Sequence, residues 1–70
     1  MKSSARNQFL GTVVSVRRGL VNAEVVLDLG GGNQLAATVT RESVNSLGFR
    51  EGAPACALIK AAHVILAMTH

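Results

Sequence analysis

NAEVVLDLGGGNQLAATVT, residues 22–40, decides the fold. In its first half Ala23, Val25, Leu27 and Leu29 fall on one face of an extended chain, with Glu24, Val26 and Asp28 on the other. Only one face is wholly apolar, which predicts a strand from Asn22 to Leu29 paired antiparallel, with one side on a core. Gly30, Gly31, Gly32 and Asn33 then reverse the chain. From Gln34 to Thr40, Leu35, Ala37 and Val39 alternate with Ala36 and Thr38, so the two segments read as a hairpin.

Working outward, Phe9 to Val16 alternates and is rich in Val, and Arg17-Arg18-Gly19 interrupts it as a turn. Thr40 is placed to cap a short helix from Arg41 to Leu47, with Glu42 in its first turn, Val44 and Leu47 three apart, and Gly48 to end it. Phe49 is expected to pack under that turn. Pro54 marks the start or edge of a strand running Ala55 to Lys60, and a last strand is expected from His63 to Met68 after an Ala61-Ala62 bend. The expectation is all-β: a five-stranded, partly open barrel of the oligonucleotide-binding type, with one short helix between strands 3 and 4. No tandem repeat is visible, and residues 1–70 read as a single domain.

Seventy residues bury a modest fraction of their surface, so a single copy is marginal. The chain is 49% hydrophobic yet has no Trp or Tyr and only two Phe. Its thin Val, Leu, Ile and Ala core implies that apolar surface is shared between subunits. The single Cys56, in an apolar run, reads as a buried thiol in a reducing cytosol. Lys2 is followed by polar residues rather than a signal-peptide apolar region, and no apolar run is long enough to cross a membrane.

Catalysis is not indicated. His63 and His70 are the only histidines, no His or Cys pair has metal-ligand spacing, and Glu24, Asp28, Glu42 and Glu51 fall on separate elements. The Gly30-Gly31-Gly32 run lacks the Lys-Ser or Lys-Thr of a phosphate loop and fits a hairpin turn. Lys and Arg total 7 against 4 acidic residues, a net charge of +3, which suits nucleic acid, an acidic surface or a small anion. Oxyanion binding needs only donors, which Ser4, Arg6 and Asn7 supply near one end of the chain and Lys60, Ala61 and Ala62 near the other. Read blandly, the first group is a soluble terminus, Lys60 guards a strand edge against aggregation, and Asn22 is a turn residue.

The segments Ser4-Ala5-Arg6-Asn7-Gln8, Gly11 to Val16, Gly19-Leu20-Val21-Asn22-Ala23-Glu24-Val25, Gly30-Gly31-Gly32, Thr38-Val39-Thr40 and Ala57-Leu58-Ile59-Lys60-Ala61 resemble the molybdenum-pterin-binding proteins, the molbindins. The match runs through nearly the whole chain, and the combined segments are far more specific than any one. The same module closes molybdate-responsive regulators and transporter ATPases. With no second domain in the sequence, the resemblance is to the free-standing cytoplasmic form. It implies an oligonucleotide-binding-like barrel that holds molybdate or tungstate, with no organic cofactor despite the historical name. The absence of Tyr and Trp leaves little to stack on a pterin ring.

The resemblance further implies a homo-oligomer, a hexamer built as a trimer of dimers, with oxyanion sites between subunits and no protein side chain as a direct metal ligand. One kind of site carries over to Ser4, Ala5, Arg6 and Asn7 of one chain with Lys60, Ala61 and Ala62 of another. A second kind carries over to Gly19, Val21 and Asn22. One departure stands out, because family members often follow Lys-Ala with Ser or Thr, whereas this chain has Ala62-His63. The Ala62 N–H must then replace a hydroxyl donor, and His63 is either an added charge-assisted donor or a residue at a subunit contact. The function implied is storage or buffering of molybdate. The alternatives are a nucleic-acid-binding module using Arg17, Arg18 and Arg41, and an adaptor that senses molybdate.

Overall fold

A computed structural model describes residues 4–69. Strands β1 (Asn7–Arg18), β2 (Asn22–Gly30) and β3 (Asn33–Thr40), helix α1 (Arg41–Leu47) and strand β4 (Pro54–Ile59) follow one another, and Ala61–His63 forms one 3-10 turn. All pairings are antiparallel and the sheet order is β3-β2-β1-β4.

The central hairpin forms as its alternation demands. Ala23, Val25 and Leu27 are buried, while Leu35, Ala37 and Val39 on β3 are half-buried. Gly31 and Gly32 have φ of 62° and 82°. Positive φ at both central positions matches the twist of the flanking strands, and glycine adopts it without a Cβ penalty. The Gly30 N–H also donates to Asp28 Oδ1 at 2.9 Å.

β1 is longer than its alternation suggests because it serves two neighbours at offset positions. Its first half, Asn7 to Thr12, pairs with β4, and its second half, Thr12 to Arg18, pairs with β2. The two pairings meet at Thr12, and a bulge just beyond it, between Val13 and Ser15 in the β1–β2 pairing, lets the strand bend. At Gly11 an added Cβ would lie 2.7 Å from the Asp28 carbonyl oxygen and 3.0 Å from Leu29 Cδ2, so only glycine lets β2 close this tightly over the bend.

Helix α1 spans the expected residues. The Thr40 hydroxyl accepts from the Ser43 N–H at 3.0 Å, and Gly48 ends the helix at φ 72° with its N–H on the Val44 carbonyl oxygen at 3.0 Å. Val44 is buried and Phe49 packs against the core, whereas Leu47 turns outward. The buried core consists of Val13, Ala23, Val25, Leu27 and Val44, one layer between the curled sheet and the helix.

The expected five-stranded barrel does not form. The sheet is an open, curled four-stranded half-barrel with one short helix, and the fifth strand anticipated at His63 to Met68 is missing. The cause lies just after β4. The His63 N–H donates to the Lys60 carbonyl oxygen at 2.9 Å and the Val64 N–H to that of Ala61 at 3.3 Å, turning the chain away from the sheet. Residues 64–69 are in no regular element, and Ile65, Leu66 and Met68 are 92%, 89% and 87% exposed. A strand needs a ladder partner, and this run lacks the alternation that would bind one face to the core. His70 lies outside the described residues.

The unclosed barrel leaves an apolar concavity of about 130 Å³, lined by Val25, Leu27, Leu35, Val39, Phe49 and Cys56 among others. Cys56 is half-buried there rather than fully enclosed.

Candidate functional site

The two segments singled out as oxyanion donors come together in the fold although more than fifty residues separate them. Asn7 pairs with Ile59 across the β1–β4 ladder, and Asn7 Nδ2 donates to the Ile59 carbonyl oxygen at 3.3 Å. Ser4, Ala5 and Arg6 therefore leave the sheet at the same corner where Lys60, Ala61 and Ala62 begin their turn. Arg6, Lys60, Ala61 and Ala62 are exposed, as is Ser4, while Asn7 and Ala5 are half-buried. The two segments carry a guanidinium, an ammonium, a hydroxyl and an amide, and neither contains a carboxylate. Such a set suits a small dianion, with charge from the cations and direction from the neutral donors. His63 sits on the same 3-10 turn, exposed, and not on a strand.

Gly19, Val21 and Asn22 lie elsewhere. They form the β1–β2 turn at the far end of β1, and the 12 residues of that strand span roughly 35 Å at the usual rise. The Gly19 N–H donates to the Asn22 carbonyl oxygen at 2.7 Å, and a Cβ on Gly19 would stand 2.8 Å from that oxygen. Leu20 and Val21 project at the tip, 93% and 73% exposed. One protomer thus carries two separate candidate sites at opposite ends of its longest strand.

Arg41 belongs to this second corner. Its N–H donates to the Val21 carbonyl oxygen at 2.7 Å and its Nη1 reaches the Gly19 carbonyl oxygen at 3.5 Å. From the sequence alone Arg41 groups with Arg17 and Arg18, as a basic surface for nucleic acid. Its attachment to the turn was nevertheless encoded in the hairpin register: Asn22 pairs with Thr40, so the next residue along β3 must meet Val21. Among the described residues Arg6 and Lys60 lie at one end of β1 and Arg17, Arg18 and Arg41 at the other. Among the described residues no group of three His, Cys, Asp or Glu side chains is placed to hold a metal ion. Among the described residues, too, no helix is long and apolar enough to cross a membrane.

Comparison with known proteins gives this fold its class. Residues 3–66 match the TOBE domain. The chain is 44% identical over 66 residues to molybdenum-pterin-binding protein 1 of Clostridium pasteurianum, covering 94% of this chain and 97% of the relative. Among solved structures it superposes on a molybdate-binding protein from Sporomusa ovata with a TM-score of 0.90 at 35% identity, covering 97% of this chain and all of that one. It also superposes on the cytoplasmic molybdate-binding protein ModG, in a form with molybdate bound, with a TM-score of 0.89 at 49% identity. That match covers 93% of this chain and 46% of ModG. The chain belongs to the TOBE-domain family and, within it, to the molbindins.

Proposed function

We propose that this protein binds molybdate, or the chemically similar tungstate, as a non-catalytic cytoplasmic store, and that residues 1–70 act as one module in an oligomer. The observation that carries the reading is the Asn7–Ile59 pairing, from which residues 4–6 and 60–62 leave the sheet at one corner with no carboxylate in either segment. The names of the molbindin relatives, and the molybdate held by ModG, support the choice of anion.

At the first site, Arg6 and Lys60 offset the dianion's charge, while Ser4, Asn7 and the main-chain N–H groups of Ala5, Ala61 and Ala62 orient it. Two copies meeting at this corner, residues 4–7 of one against residues 60–62 of the other, enclose the anion and remove it from water. At the second site the turn residues Gly19, Val21 and Asn22 hold another anion at a separate contact between copies. A hexamer arranged as a trimer of dimers provides both contacts. The exposed apolar run Val64 to Met68 and the open edges of β3 and β4 supply surface for such assembly.

Titration calorimetry of the anion-free protein with sodium molybdate, repeated in excess sulfate and paired with native mass spectrometry, tests the reading. Tight binding that survives sulfate, on a hexamer, supports it. Sulfate is also a tetrahedral dianion, so discrimination has to come from cavity size. No heat over a range of temperatures, with no change in mass, sinks it.

A further inference from the structure

We propose that Arg41 is the positioning and charge-supplying residue of the Gly19–Asn22 site, converting a turn that would repel an oxyanion into one that accepts it. The inference rests on the second-site reading above and adds to it a residue from a different element.

A tight turn of this kind is not by itself an anion site, because it exposes carbonyl oxygens as well as N–H groups. At the Gly19–Asn22 turn the oxygens of Gly19, Val21 and Asn22 are all engaged. Asn22 accepts from the Gly19 N–H at 2.7 Å, closing the turn. Val21 accepts from the Arg41 N–H at 2.7 Å, and Gly19 faces the Arg41 guanidinium at 3.5 Å. One residue at the start of α1 therefore occupies two of the three oxygens that would oppose a dianion. Its backbone is anchored at the turn, and its guanidinium reaches back to the same turn through the Gly19 carbonyl oxygen.

The remaining donors favour a tetrahedral oxyanion. A guanidinium carries five N–H groups in a planar fork, and contact with one carbonyl leaves the others for paired bonds to adjacent oxygens of a single anion. Arg17 and Arg18 lie at the end of β1, but Arg17 has the carboxylate residue Glu24 as its register partner across the ladder. Arg18 lies opposite Ala23 and adds positive charge without a carboxylate across from it. Arg41 differs from both in being bonded to the turn itself. Its side chain is exposed, so the fold does not need it for core packing.

The test uses an Arg6→Ala, Lys60→Ala background, which removes both cations of the first site, with molybdate titrated calorimetrically and molybdenum per chain counted by mass spectrometry. In that background Arg41→Gln should weaken the remaining sites by about tenfold or more, the loss expected for a charged hydrogen-bonding partner. Arg41→Lys, which keeps the charge without the fork, should recover part of that loss. The melting temperature of the anion-free protein should not move. Asn22→Ala serves as an independent probe of the same turn. If Asn22→Ala weakens these sites and Arg41→Gln does not, the role of Arg41 is refuted while the site stands. If the Arg6→Ala, Lys60→Ala background alone abolishes all binding, or Asn22→Ala changes nothing, the second site fails and this proposal falls with it. A lowered melting temperature in Arg41→Gln, with no recovery in Arg41→Lys, makes the residue merely structural. If Arg41→Gln weakens salt-sensitive oligonucleotide binding and leaves molybdate untouched, the turn is a nucleic-acid contact and the proposal is overturned.

Discussion

Asn7 and Ile59 are joined twice, once as partners in the β1–β4 ladder and again through the Asn7 side-chain amide on the Ile59 carbonyl oxygen at 3.3 Å. Beyond this last rung the chain leaves the sheet on both sides, at Arg6 before β1 and at Lys60 after β4. The amide uses one of its two hydrogens in the rung and keeps the second for a ligand. Asn7 is therefore both a strut and a donor in the proposed site.

Arg6→Ala and Lys60→Ala should each weaken molybdate binding by about tenfold or more, the scale of a lost charged hydrogen bond. Both side chains are exposed, so the melting temperature of the anion-free protein should stay nearly constant. The double variant should lose less than the sum of the two effects in free energy, because neighbours sharing one anion are coupled. Calorimetry on the four proteins of this cycle measures the coupling directly. Undiminished affinity in Arg6→Ala would remove the anion from this corner.

Gly11→Ala should destabilise the fold by roughly 1–3 kcal/mol, the usual cost of forcing atoms into a packed site. The added methyl meets the Asp28 backbone oxygen at 2.7 Å, which can retreat only if β2 lifts from β1. Urea denaturation reads the loss as a lower midpoint. An unchanged midpoint would mean that the curl of the sheet does not depend on this approach.

The hairpin, the helix with both its caps, and the start of β4 at Pro54 were all legible, since each follows from local alternation or from one residue with a restricted conformation. The two ends of β1 were not. Asn7 and Arg18 join the strand because β4 and β2 reach them, and pairing between distant segments leaves no local mark. The fifth strand failed for the same reason in reverse, because the apolar run Val64 to Met68 looks extended but finds no ladder within one chain. Ser4–Asn7 and Lys60–Ala62 were picked out by composition and resemblance, and only the register shows them as neighbours in one protomer. Arg41 was visible as a charge, but its place at the Gly19–Asn22 turn needed the hairpin register carried one residue further.

Thr40→Ala should cost about 1 kcal/mol through loss of the helix cap, which removes the acceptor of the Ser43 N–H. Val44→Ala should cost about 2 kcal/mol or more, since Val44 is 1% exposed and is the helix's sole buried residue. The pair separates capping from packing. Chemical denaturation of both variants should rank them in that order, and a Thr40 variant as damaging as the Val44 one would show that the cap holds more than the helix.

Ile65→Asp and Leu66→Asp should disrupt the oligomer while leaving the protomer's fold intact. Both side chains are about nine-tenths exposed in the protomer and contribute nothing to its core of Val13, Ala23, Val25, Leu27 and Val44. A charge placed there costs little in an isolated chain but must be desolvated at an apolar contact between copies. Native mass spectrometry should show a shift to smaller species, and circular dichroism should show the same strand content. If the proposed sites lie between copies, molybdate must pull these variants back towards the assembled state, because a ligand that binds only the assembly stabilises it by mass action. The melting temperature of the unaltered protein should then rise with both protein and molybdate concentration. Variants that remain fully assembled would place the subunit contacts elsewhere on the surface, and variants that dissociate yet bind molybdate at full affinity would place the anion within a single chain.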